Sequence, residues 1–297
     1  MAATLGVLAA SSASGATVLR LSAASDCPTN PNCAPGLRAT YGVDVSSVLV
    51  RTAETGFALE ALDDGLAQVA IVFSSNPDAT RPDLLTLRDD RGMIGPDHIA
   101  PIVRSSLLRR YARFAADIRR RLNAASRLIT TPALRGLNLE ARDGRIPEAL
   151  GGEFVDANGL GGRARQKPGP VIVVGYQDFD ENHILAWIYA NALRAGGYQV
   201  AVRSVGGLRP AALREITAGR IGIYPGYAGS LMEFLEGGHA GKGTQSQRLQ
   251  RQLARRGLVA LPFTPGQDRN TFVMTRALAT SLGISKLSDL RRFWPRA

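Results

Sequence analysis

Short apolar runs alternate with helix-periodic segments along most of the chain. Val171–Val174, Tyr198–Arg203 and Ile221–Tyr224 are β-like runs. Between them, His183–Ala195 and Pro210–Ala218 place apolar residues at helical spacing. Asp180 stands where a helix cap belongs, and Gly196-Gly197 closes the first helix. Strand, helix, strand, helix, strand predicts an open α/β sheet, whose ligands bind beyond the carboxyl ends of strands. Tyr176–Glu181 and Tyr224–Ser230 (YPGYAGS) lie there. Earlier in the chain the pattern predicts strands at Thr17–Leu21, Val45–Val50, Val69–Phe73, Leu84–Leu87 and Ile99–Val103. Helices are expected at Leu37–Tyr41, Phe57–Leu66, Ser106–Ala125, Pro132–Glu140 and Pro147–Phe154. Later come a helix at Ser246–Arg256, strands at Val259–Pro262 and Thr271–Thr275, a helix from Ala277 to Gly283, and Leu287–Phe293. Asn158–Pro170, rich in glycine, proline and charge, reads as a linker.

Composition narrows the function classes. The 297 residues are 45% hydrophobic and 21% charged, ordinary for a globular protein with a sizeable core. No run approaches the roughly 18–20 apolar residues of a membrane helix. The net charge of +11 is carried mainly by arginine, seven of them within Arg104–Arg121. That balance suits nucleic acid or anionic lipid. No zinc-finger spacing, RNA-binding signature or helix-turn-helix accompanies it, so a solvated arginine-rich face is expected and no nucleic-acid partner. His98, His183 and His239 are scattered without metal-ligand spacing. There is no G-x-S-x-G elbow and no P-loop lysine. Neither an enzyme, a cofactor nor a metal is expected. The N-terminus, Met1–Ala16, has no basic region and is a poor signal peptide. Cys27 and Cys33, in DCPTNPNC, are spaced so that a small disulfide could close, which requires an oxidising compartment.

The segment Val171–Leu235 resembles the opening of the osmoprotectant (glycine betaine, choline, carnitine) substrate-binding proteins of bacterial ABC importers. Those carry a G-S-K-N-F-T-E-Q-like turn after the first strand and a Y-P-E-Y-T-G-T element some fifty residues later. The matching segments here are GYQDFDEN (Gly175–Asn182) and YPGYAGS (Tyr224–Ser230). Residues 17–157 are similar to the second half of an ordinary member, through C-A-P-G-L, F-A-L-E-A-L-D-D-G and A-P-I-V-R, and residues 171–293 to the first half. The order is inverted, which implies a circular permutation or a slice across a tandem pair. Ala2–Val7 weakly echoes Ala279–Ile284, which hints at the slice. The family's E-C-P-x-R-P-x-C loop favours the Cys27–Cys33 disulfide.

The resemblance implies a two-lobed α/β periplasmic-binding-protein fold of type II, permuted. Lobe B would combine 17–77 with 270–297, lobe A would run 78–269 and contain the 158–170 linker, and 1–16 would stand apart. Crossings near Ser75–Thr80 and Gln267–Thr271 would form the hinge. In the family a cage of tyrosines holds the quaternary ammonium by cation–π attraction. By position, Tyr227 matches a cage tyrosine and Ser230 the threonine beside it; Phe272 and Phe57 stand at two further tyrosines, with Asn270 at a polar ligand position. Gln177 replaces a lysine and Asn30 an arginine, so both cationic carboxylate partners are neutral here. Gly226 departs from the family's glutamate. A cation lacking a carboxylate, a polyol or no ligand at all then competes with a betaine. The expectation is an extracytoplasmic, monomeric solute-binding protein serving an ABC permease. A basic sensor on the same fold and a degenerate slice of a duplicated gene are the alternatives.

Overall fold

The structure is a computed structural model that describes residues 18–53, 56–162, 164–237 and 242–297. The N-terminal segment 1–16, Thr17 and His239 lie outside the described residues. The chain forms two compact units, one of residues up to Ile71 with Leu87–Met93 and Met274–Ala297, the other of Val72–Thr86 with Ile94–Val273. Ten strands are described: β1 (Leu21–Ala24), β2 (Leu49–Thr52), β3 (Val69–Phe73), β4 (Leu84–Thr86), β5 (Ile99–Arg104), β6 (Ile172–Tyr176), β7 (Val200–Ser204), β8 (Ile223–Tyr227), β9 (Leu258–Ala260) and β10 (Asn270–Thr275). They make two five-stranded sheets, ordered β2-β1-β3-β10-β4 and β7-β6-β8-β5-β9.

Strand position explains the sequence pattern. Central strands covered on both faces read as unbroken apolar runs: β3 (VAIVF), β5 (IAPIVR) and β8 (IYPGY) are buried almost throughout. The edge strand β7 (VAVRS) stays half open to solvent. In the second sheet β6 runs parallel to β7 and β8, whereas β5 is antiparallel to β8 and β9.

Several expected boundaries move. The β8 strand continues through Pro225 and Gly226 to Tyr227 instead of ending at Tyr224, because Ile99–Val103 of β5 pairs along its whole length. Pro101 faces Pro225 in that register, and each carbonyl finds a donor from elsewhere: Leu261 N–H for Pro101 (2.9 Å), Asn182 Nδ2 for Pro225 (2.8 Å). The first expected strand is displaced to Leu21–Ala24 and the second to Leu49–Thr52. The single helix expected at Ser106–Ala125 is broken. A short α3 (Ser105–Arg110) and a 3₁₀ turn precede α4 (Ala115–Leu128). The break falls at Tyr111, whose ring turns into the core edge-on to Tyr198 and whose hydroxyl donates to Pro170 O.

In the first unit, a short α1 (Ala34–Gly36) runs into a π-helical turn at Leu37–Tyr41 and follows the Cys27–Cys33 disulfide, whose Cα atoms are 5.2 Å apart. Both cysteines are buried. Helix α2 (Gly56–Asp63) lies between β2 and β3 in sequence. Eliminating so short a ring with the Cys27→Ala/Cys33→Ala pair is expected to cost about 2 kcal/mol by loop-closure entropy. Urea titration of the double variant checks this. An unmoved midpoint would mean that the loop's own hydrogen bonds hold it.

The second unit is built on α7 (Asp180–Arg194), which is buried on nearly every face (Ile184, Leu185, Ala186, Ile188, Tyr189, Leu193) and so is apolar nearly all round. Phe179, not Asp180, is its N-cap, and Asp180 and Glu181 occupy the first turn, where acidic side chains complement the helix dipole. Helices α5 (Thr131–Arg142) and α6 (Pro147–Ala157) pack against it. Gly151 permits the close approach of α6, since a Cβ there would meet Trp187 Cβ at 2.5 Å. The linker is not free: Lys167 pairs with Asp117 at 3.2 Å and lies 4.6 Å from the Tyr198 ring centre. Helices α8 (Arg209–Thr217) and α9 (Ala228–Glu236) follow β7 and β8; α10 (Gln245–Ala254) opens on a Thr244–Gln247 capping box. Helix α11 (Arg276–Leu282) belongs to the first unit.

Candidate functional site

The carboxyl ends of β6 and β8 bring three of the expected residues into one region of the second unit. Tyr227 ends β8 and is also the N-cap of α9, with 6% of its surface exposed. Its hydroxyl donates to Glu181 Oε1 at 2.7 Å, and its ring centre lies 6.1 Å from that of half-exposed Phe179. Burial, then the Glu181 and Asp268 charges, push the phenol well above its usual range, so it stays a neutral donor. Ser230, in the first turn of α9, accepts from Arg209 Nη2 at 2.8 Å through its hydroxyl. The α9 amino terminus is held by a carboxylate from a distant loop, since Asp97 Oδ1 accepts from Gly229 N–H (2.7 Å) and Ser230 N–H (3.2 Å). Burial pushes the Asp97 carboxyl up to about 6 despite those bonds.

Gln177 is buried and fully engaged. Its Nε2 donates to Gly207 O (2.9 Å), its Oε1 accepts from the Tyr224 hydroxyl, and its N–H donates to Asn182 Oδ1 (2.8 Å). The residue at the family's lysine position therefore ties β6, β8 and the 207 turn together. Gly226 has a steric reason: a Cβ there would meet Ile102 Cγ1 at 2.8 Å, leaving no room for a glutamate on this strand face. Phe272, within β10, is 1% exposed, and Asn270 begins the same strand half-buried.

Phe57 and Asn30 belong to the first unit. Phe57, on α2, is 47% exposed and presents an open aromatic face. Asn30 is spent inside the disulfide loop, where Nδ2 donates to Asp26 Oδ2 (3.1 Å) and Oδ1 accepts from Asn32 N–H (2.9 Å).

Glu181 and three residues outside the matched motifs, Asn138, Asp97 and Asp268, link to Tyr227 or to the start of α9. Asn138 on α5 donates from Nδ2 to Glu181 Oε2 (2.7 Å) and to Ser75 O (3.1 Å), and its own Oδ1 is buried without a partner. Asp268 Oδ1 accepts from Ser75 Oγ (2.7 Å) and Ser75 N–H (3.3 Å), while Asp268 N–H donates to Asp97 O (2.9 Å). Burial, then the Glu181 charge, hold the Asp268 carboxyl well above the usual carboxylate range. Glu181, Asn138, Asp97 and Asp268 come from separate stretches, and only Glu181 sits in a recognisable motif, where its helix-start position reads as a dipole partner. Among the described residues no group of His, Cys, Asp and Glu side chains could hold a metal ion. His183 stacks on Tyr176 (3.8 Å) and accepts from Trp187 Nε1 (3.1 Å); His98 Nδ1 lies 3.1 Å from Gly266 O.

The family model for the substrate-binding domain of ABC-type glycine betaine transport systems matches residues 10–157 and 170–295. The chain belongs to this family. Its members are solute-binding proteins of ABC transporters, and the family implies a small-molecule ligand and a permease partner. The two matched stretches leave out 158–169, the segment with linker composition. No curated protein sequence matches the chain. Among solved structures, similarity in outline extends to a phosphate-binding protein of a Streptococcus pneumoniae phosphate ABC transporter (10% identity, 93% of this chain and 96% of that one, TM-score 0.45). It extends also to apo YehZ from Escherichia coli (10% identity, 92% and 91%, TM-score 0.38). A peptide-binding protein AppA from Clostridium difficile is similar over 81% of this chain, which spans 60% of its length (10% identity, TM-score 0.39). Two α/β sheets with their helices accord with the type II binding-protein fold of the family. No helix among the described residues is long and apolar enough to cross a membrane.

Proposed function

We propose that this family member captures a small quaternary-ammonium or related osmoprotectant against Tyr227 and delivers it, as an extracytoplasmic monomer, to an ABC permease. The observation that carries the reading is the tyrosine at the end of β8, its hydroxyl pinned by Glu181 at 2.7 Å and its ring beside Phe179. Aromatic faces attract a desolvated onium group by roughly 0.5–2 kcal/mol each. Ser230 and Asn270 supply polar groups; Phe57 and Phe272 are the further aromatic candidates. The Cys27–Cys33 disulfide supports an oxidising compartment. Capture and release involve no bond chemistry, and a change of conformational population on binding transmits occupancy to the permease. We read the order of the two halves as permuted, a reading that rests on the order of the motifs along the sequence.

Thermal melts with glycine betaine, choline, carnitine, proline betaine and polyols test this. A solute at 100 times its Kd adds about 2.7 kcal/mol, a shift of several degrees in a protein of this size. One solute class moving the melt supports the reading; a sharp melt that none moves overturns it.

A further inference from the structure

The second unit carries a basic groove that the solute site does not use. Residues 98–116 hold four arginines, residues 237–267 hold four more with Lys242, and neither stretch contains an Asp or a Glu. Together they carry nine positive charges in a chain whose net charge is +11. The sheet brings the two stretches side by side. Edge strand β9 pairs antiparallel with β5, Arg104 opposite Leu258, and Ser105 N–H at the start of α3 donates to Gly257 O at 2.9 Å. Gln250 on α10 covers the outer edge of β9, donating to Ala260 O and accepting from Ala260 N–H (3.3 Å). Residues of α3, α4, α10 and β9 line an open groove of about 720 Å³. Leu108 (7% exposed) and Leu258 (2%) give it an apolar floor, Ala112 and Ala254 stand exposed along it, and Arg109 and Arg119 line it. Some arginines nearby are neutralised: Arg120 and Arg121 pair with Asp117, and Arg248 with Glu236. Among the described residues no carboxylate pairs with Arg109, Arg110, Arg113, Arg119 or Arg255.

We propose that this groove docks the protein on a membrane surface, its unpaired arginines taking the phosphates of anionic phospholipid headgroups. The charge complementarity is one-sided: unpaired guanidinium forks meet no acid of their own chain, and their planar donor sets match phosphate oxygens two at a time. The apolar floor suits the glycerol region of a lipid, while long arginine stems lie over alanine and keep their heads at phosphate level. The lining argues against two other polyanions. Single-stranded nucleic acid is held on aromatic stacking platforms, and no aromatic side chain lines the groove; Tyr111 and Phe114, the rings of this segment, turn edge-on to Tyr198 instead. An acidic protein partner would be anchored by aromatic or large apolar residues in a central pocket, whereas the exposed apolar positions here are the alanines 112 and 254. Each arginine brought to an anionic bilayer strengthens partitioning about fivefold, an effect that fades within a Debye length. Docking of this kind would concentrate the protein at the membrane whichever solute it carries, so the proposal does not depend on Tyr227.

Co-sedimentation of the whole chain with vesicles tests this, using phosphatidylcholine alone and phosphatidylcholine with about 30% phosphatidylglycerol. The expected result is binding to the anionic vesicles only, lost when about 1 M salt cuts the Debye length to about 3 Å. Arg109→Gln/Arg113→Gln/Arg119→Gln should partition about a hundredfold more weakly, three fivefold factors together. None of the three makes an ion pair, so the variant should melt like the native protein. Arg88→Gln/Arg214→Gln/Arg291→Gln removes the same charge from exposed positions on other elements and should bind within a few-fold of the native protein. Equal weakening by the two triple variants overturns the proposal, because net charge and not the groove would then drive binding. Absence of binding to anionic vesicles overturns it, as does equal binding to phosphatidylcholine alone. A single-stranded oligonucleotide or polyglutamate that binds the native chain where vesicles do not, and loses affinity in the groove variant, overturns it in favour of that polyanion. Glycerol phosphate that displaces the protein from vesicles at millimolar concentration overturns it in favour of a site for free phosphate esters.

Discussion

Tyr227→Ala is expected to weaken capture of a quaternary-ammonium solute by about thirtyfold, the loss of roughly 2 kcal/mol from a desolvated cation–π face. Tyr227→Phe separates the two things the side chain does. The phenylalanine keeps the ring and loses the hydroxyl that donates to Glu181 Oε1 at 2.7 Å. A buried acceptor left without its donor costs about 1–3 kcal/mol of stability, so the phenylalanine variant should melt lower yet bind the solute within a few-fold of the native protein. The alanine variant should lose both stability and binding. Calorimetry with the solute picked out by the melting panel, together with urea titrations of the free proteins, measures both quantities. Equal weakening by Phe and Ala would assign the effect to the hydroxyl and its geometry. Unchanged affinity in both would remove Tyr227 from the site.

The parts of the fold that were legible in the sequence are those where one physical demand dominates. The β3 and β5 runs, VAIVF and IAPIV, announce themselves because central strands bury both faces. The α7 helix was equally plain for its apolar length. The β8 strand was only half legible. Pro225 and Gly226 look like turn punctuation, and only the antiparallel partner β5, about 125 residues away in sequence, keeps the chain extended through them. The break at Tyr111 was hidden for a related reason: the periodicity from Leu107 to Leu122 suits one helix, but the ring's partners Tyr198 and Pro170 lie far downstream. The site divides the same way. Tyr227, Ser230 and Gln177 sit in two short motifs and could be matched position by position. Asp97, Asn138 and Asp268 sit in none; they matter because tertiary structure delivers them to Glu181 and to the α9 amino terminus. Gln177 shows the limit of matching, since a residue aligned with a ligand-binding lysine turns out to hold the sheet together.

Trp294→Ala should be the most damaging single change in the first unit, at about 3–5 kcal/mol for emptying a buried aromatic position. The indole is 4% exposed, and its Nε1–H donates to Leu19 O at 2.9 Å, across 275 residues of sequence. It anchors a C-terminal tail whose backbone is otherwise held by three contacts with residues 42–44: Pro295 O accepts from Asp44 N–H (2.8 Å), Arg296 bridges Val43, and Ala297 N–H donates to Gly42 O (3.1 Å). Those are backbone bonds of about 1 kcal/mol net each, too weak to hold the tail once the ring is gone. Loss of the indole also strands the Leu19 carbonyl next to the first strand. Trp294→Phe should recover most of the packing and leave a deficit of about 1–3 kcal/mol, the cost of that unpartnered carbonyl. Urea titrations followed by circular dichroism give both values, and hydrogen exchange at the Asp44 and Ala297 amides reports whether the tail has detached. A phenylalanine variant as stable as the native protein would mean that water replaces the indole donor; an alanine variant as stable would mean that the tail, and not the ring, closes this unit.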